Sequence, residues 1–96
     1  MTLETALEVL RKHKEEFREK YGITALGIFG SVALGRMSDE SDVDVVIKMS
    51  KPDLFFMVHI KEELESDYKT RVDVVRYREK MNKFLKERID RDAVYV

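Results

Sequence analysis

Two aspartates, Asp42 and Asp44, sit one residue apart at the head of a run that is otherwise valine and isoleucine, DVDVVI. In a strand, side chains at i and i+2 share a face and lie roughly 6.6 Å apart along it. Two carboxylates on one face are costly to bury without partners, so that face is open or cations sit on it. Asp73 repeats the pattern among Val72, Val74 and Val75. If its strand neighbours the first, about 4.8 Å away, the three acids converge. Clustered carboxylates repel unless they are protonated or neutralised. Hard divalent cations are the obvious neutraliser, and Mg2+ favours one or two carboxylates plus substrate phosphates. Two such ions, about 3.5–4 Å apart, can clamp the attacking and leaving oxygens of a phosphoryl displacement. Asp42, Asp44 and Asp73 are therefore the candidate metal ligands and catalytic residues.

Upstream, Gly30-Ser31 follows the apolar run ITALGIF. Glycine permits unusual backbone angles and close approach to a ligand. A Gly-Ser turn between a strand and a helix start presents N–H groups and a hydroxyl to an anion, here a triphosphate. Gly35 lets the chain turn back toward Ser41 and the acidic strand.

Together, Gly30-Ser31, Ala33, Gly35 and Ser41-Asp42-Val43-Asp44 resemble the GS-x-A-x-G-x5-SD-x-D signature of minimal nucleotidyltransferases, in the DNA polymerase beta-like superfamily. Asp73 matches the third carboxylate of that family, and the resemblance covers nearly the whole chain. It implies transfer of a nucleoside monophosphate, AMP in the first instance, from ATP or another NTP to a hydroxyl acceptor. The implied cofactor is Mg2+, as two ions. It also implies an antitoxin role beside a helical HEPN toxin, which some such domains inactivate by adding AMP. Nucleotide-binding candidates are then Gly30, Ser31, Arg36 and Ser41. One departure stands out: the family often carries arginine between the alanine and the glycine, and here that residue is Leu34. Arg36 is the nearest substitute cation. Leu34 also favours a rival reading, a non-catalytic antitoxin that neutralises its partner by binding alone. A small-molecule nucleotidyltransferase fits less well, since those enzymes usually add a helical domain.

These residues need elements to hold them. Residues 3–20 read as an amphipathic helix with Leu3, Leu7, Leu10 and Phe17 on one stripe. Thr5 and Glu8 match a capping box, Thr2 offers an earlier start, and Gly22 suits the far end. Strands are expected at Ile23 to Phe29, Val43 to Met49 and Arg71 to Arg76, rich in β-branched residues. A second helix over 54–66, capped by Asp53, shows Leu54, Met57, Val58, Lys61 and Leu64 on one face. The Phe55-Phe56 pair reads as core plus an exposed patch. A third helix over 79–91 is built around Phe84, Leu85, Arg88 and Ile89, and the terminal AVYV adds a short strand or an apolar tail. The order predicts an α/β (α+β) fold: one small mixed sheet with helices mainly on one face, the polymerase beta-like arrangement.

The 96 residues suit a single domain, 1–96. Eighteen basic and nineteen acidic residues nearly cancel, so no global basic field favours direct nucleic-acid binding. No cysteine means no disulfide or thiolate metal site, as suits the cytoplasm. No run is long and apolar enough for a signal peptide or a membrane span. His13 and His59 lack metal-ligand spacing and sit among charged helix positions.

Overall fold

The computed structural model describes residues 1–36 and 42–96. Helix α1 (Leu3–Tyr21) starts at Thr2, whose hydroxyl accepts from the Thr5 N–H at 3.1 Å. The cap is therefore Thr2, three residues before the Thr5 suggested by the capping-box pattern, and it brings Leu3 inside the first turn. Gly22 ends the helix at φ 68°, and its N–H donates to the Arg18 carbonyl. That left-handed angle is strained for a residue bearing a Cβ.

Strand β1 (Ile23–Phe29) runs straight into a one-turn helix α2 (Gly30–Ala33). Strand β2 (Val43–Met49) pairs antiparallel with β1. Helix α3 (Leu54–Tyr68) is capped by Asp53, whose Oδ1 accepts from the N–H groups of Phe55 and Phe56. It carries the chain back to β3 (Val72–Arg76), which lies parallel to β2. A parallel neighbour needs such a crossover, since a tight hairpin can only join antiparallel strands. Helix α4 (Lys83–Asp92), capped by Asn82, leads to the two-residue strand β4 (Val94–Tyr95). The mixed sheet has the order β3-β2-β1-β4.

The period of two sorts side chains between two faces. Val43, Val45, Ile47 and Val72 face α1 and α3 and are buried with Leu10, Phe17, Ile60 and Leu64. The Tyr68 hydroxyl donates to the Ala6 carbonyl at 2.6 Å, tying α3 to α1 while satisfying its own buried polar end. On the other face Phe29 and Val46 are buried beneath Ile89 of α4, with Val75, Tyr77 and Leu85 packed around them.

Two helices present different residues to the sheet than their apolar spacing suggested. In α3 the buried stripe is Ile60, Leu64 and Tyr68, while Leu54 and Val58 are exposed. The helix runs two residues past 66, and the aromatic at its far end, Tyr68, moves the buried stripe toward the C-terminus. In α4, Phe84 is 76% exposed. The helix starts at Lys83, not 79, so Leu85 and Ile89 set the inward face and Phe84 is left outside it.

Candidate active site

Asp44 lies on β2, the strand next to the β3 edge, and has a partner on each side. Its strand partner in β3 is Asp73, directly opposite in the parallel register. Its partner in β1 is Phe29, the last residue before the Gly30 turn. Asp42 lies two residues upstream and is exposed, as is Asp73. Asp44, Val46 and Val75 share the α4 face, so Asp73, adjacent to Asp44 in register and two residues from Val75, lies there too. The strand of Asp73 neighbours that of Asp44, and the two acids stand abreast at the N-terminal ends of two parallel neighbours.

The electrostatics follow from that placement. Partial burial raises the Asp44 carboxyl above the ordinary carboxylate range, and the negative charges of Asp73 and Asp42 push it the same way. Arg88 of α4 is the opposing influence. Apolar spacing groups Arg88 with the inward stripe of its helix, but nothing local connects it to the acids. The available signal was a cation, one residue from a buried isoleucine, on a helix that must cross the sheet.

Gly30 has φ 71°, again in the left-handed region. A Cβ built on it would collide with the Asp44 carboxylate. Backbone thus comes as close to this acid as any residue type allows. Ser31, the second residue of α2, is half-buried, while Leu34 and Gly35 follow on the exposed side. Arg36 is exposed, its N–H donates to the Ser31 carbonyl at 2.9 Å, and its charge acts on Asp92 near the end of α4. Ser41 lies outside the described residues. His13 pairs with Asp67 and stacks on Phe17, a structural use remote from the acids.

Among the described residues, no three Asp, Glu, His or Cys side chains already form a group that could hold a metal ion. The donor set is nonetheless hard carboxylate oxygen beside a glycine cradle, which fits Mg2+ held by one or two carboxylates and completed by substrate oxygens. An arrangement of this kind can place an anionic substrate between a backbone turn and a carboxylate pair.

Known proteins resemble this chain along most of its length. A family model described as the nucleotidyltransferase domain matches residues 10–96. The protein adenylyltransferase MntA of Thermococcus cleftensis is 33% identical over 97 residues, spanning 100% of this chain and 97% of the relative. MJ0126 of Methanocaldococcus jannaschii, provisionally named a protein adenylyltransferase, is 32% identical over 96 residues, spanning 99% and 98%. A solved structure provisionally described as a minimal nucleotidyltransferase superposes with a TM-score of 0.76 at 30% identity, covering 98% of this chain and 95% of that one. Two further structures are alike in fold alone. One is a toxin–antitoxin with AMP-PNP (TM-score 0.74, 20% identity, 88% and 69% covered). The other is a tri-AMPylated Shewanella oneidensis HEPN toxin in complex with MNT antitoxin (TM-score 0.70, 15% identity, 98% and 71% covered). With a matched family model, full-length relatives and the same sheet beneath its acidic pair, this chain belongs to the nucleotidyltransferase domain family, as one of its minimal members.

Proposed function

We propose that this chain transfers AMP from ATP to a hydroxyl on a partner HEPN toxin and thereby acts as an antitoxin. The observation that carries the reading is Asp44 set abreast of Asp73 beneath Gly30, with Asp42 two residues away. The adenylyltransferase names of the full-length relatives support AMP as the group transferred. The toxin–antitoxin structures, alike in fold, support the kind of partner and of nucleotide.

In this reading the Gly30 and Ser31 N–H groups and the Ser31 hydroxyl receive the triphosphate, and Ser41 and Arg36 lie along its path. Asp42, Asp44 and Asp73 would hold Mg2+, as two ions. When bound, the metal supplies charge neutralisation for the transferred group and its leaving pyrophosphate. Asp73, exposed at the outer strand, takes the proton of the acceptor hydroxyl as its oxygen attacks the α-phosphorus. Asp44, half-buried, is the most enclosed of the three.

Leu34 favours the second reading, a partner bound but not modified, because an exposed aliphatic side chain cannot neutralise phosphate charge. The two readings separate in one assay. With labelled ATP, Mg2+ and the cognate partner, wild type should transfer AMP slowly. Leu34→Arg should raise the rate several-fold, and Asp42→Ala should remove it. A wild type that transfers nothing, yet neutralises its partner as well as Asp42→Ala does, would establish the binding antitoxin instead.

A further inference from the structure

Helix α4 joins β3, at one edge of the sheet, to β4, at the other, so it must cross over β2 and β1. Its two flanks therefore overlook opposite ends of those strands. The stripe turned to the sheet is Leu85, Ile89 and Asp92: Ile89 is buried on Phe29 and Val46, Leu85 packs beside it, and the Asp92 side chain is only 9% exposed. At about 100° per residue, Lys86 and Asp90 fall on one flank of that stripe and Arg88 on the other.

Observed contacts decide which flank looks where. The Tyr77 hydroxyl donates to Asp90 Oδ1 at 2.7 Å, and Lys86 Nζ lies 5.8 Å from the Tyr77 ring centroid. Tyr77 follows the C-terminal end of β3, and Lys48, near the C-terminal end of β2, sits 4.9 Å from the same ring. That flank overlooks the C-terminal ends of the parallel pair. The opposite flank overlooks their N-terminal ends, where Asp42, Asp44 and Asp73 stand.

We infer that Arg88 reaches from α4 over the acidic end of the sheet and binds the phosphate chain of the nucleotide. The guanidinium is a planar fork that matches phosphate oxygens two at a time, and it stays charged under all working conditions. Asp92, one helical turn on and nearly buried, is bound by Arg91 of its own helix and feels the charges of Arg88 and Arg36 from farther off, which puts both of those cations near that end of α4. Arg88 thus supplies positive charge from the helix side, facing the Gly30-Ser31 turn across the acids. The assignment rests on the nucleotidyl-transfer reading, and the test keeps the two apart.

The full chain is titrated with MgATP and, separately, with magnesium pyrophosphate at several salt concentrations. Arg88→Gln should bind both about 10- to 100-fold more weakly, the usual range for losing a hydrogen bond to a charged group. Its affinity should also fall less steeply with salt, and its Tm should stay at the wild-type value because Arg88 is exposed. Equal affinity of variant and wild type would overturn the Arg88 assignment alone. A weaker variant with an unchanged salt slope or a lowered Tm would make the residue a support of the fold and overturn the assignment too. A wild type that binds neither probe would overturn both this assignment and the reading beneath it.

Discussion

Among the described residues, fifteen side chains are buried together on the face covered by α1 and α3, none of them charged, whereas on the α4 face only Phe29, Val46 and Ile89 are. The first face is sealed by two long helices. The second is bridged by one short helix crossing it, so charge survives at both ends: Asp42, Asp44 and Asp73 at one, Lys48 between Tyr77 and Tyr95 at the other. A sheet of four strands cannot make both faces equally dry and still admit a substrate. Division of labour follows, with stability concentrated where water is excluded and chemistry where the helix leaves the strand ends open.

The largest test of that division is Phe17→Ala. Phe17 is wholly buried between the helices and the sheet. Truncation should cost about 3–5 kcal/mol, a large part of the 5–15 kcal/mol typical of a domain, as read from urea denaturation. Whatever protein remains folded should keep its affinity for MgATP; a change in affinity comparable to that of site variants would break the comparison.

Gly30→Ala should be smaller in stability and larger in function. The left-handed backbone angle and the clash with Asp44 together cost about 1–3 kcal/mol. Wild type should gain about 2.7 kcal/mol when MgATP reaches a hundred times its Kd, and the variant should gain none. If the variant is stabilised as much as wild type, the nucleotide lies elsewhere.

The smallest effect has the opposite sign. Burial, then Asp73, then Asp42 raise the Asp44 carboxyl, so its folded-state pKa lies above the unfolded one. Its contribution to stability is fully present below the ordinary carboxylate value near pH 4 and is lost as pH rises through the raised value. Asp44→Asn should therefore stabilise the metal-free protein slightly at neutral pH and flatten the decline in Tm between pH 4 and 7, while removing the stabilisation by MgATP. A lower neutral-pH Tm for the metal-free variant would mean that the carboxylate is anchored by partners and not strained by neighbours.

Much of the acidic end was legible in the chain because it depends on local rules. A strand alternates its side chains, so Asp42 and Asp44 had to share a face once DVDVVI was a strand. The Gly-Ser turn marked a close backbone approach for similarly local reasons. The inward stripes of α3 and α4 were harder, since apolar residues recur on more than one line of each helix. Tertiary packing chose Ile60 over Leu54 and Leu85 over Phe84. Arg88 was invisible as a site residue because nothing local links position 88 to position 44.

The amino-acid sequence by itself determined the strands, the caps at Gly22 and Asp53, and the pairing of Asp42 with Asp44 on one face, because each depends on steric and hydrogen-bonding preferences within a few residues. Only the tertiary structure decided that β3 lies beside β2, in the register that sets Asp73 against Asp44. The same is true of the path of α4, which must cross from one sheet edge to the other and so carries Arg88 over the acids. Strand order and helix path are settled by which apolar faces can be covered at once, and that is a property of the whole chain and not of any segment of it.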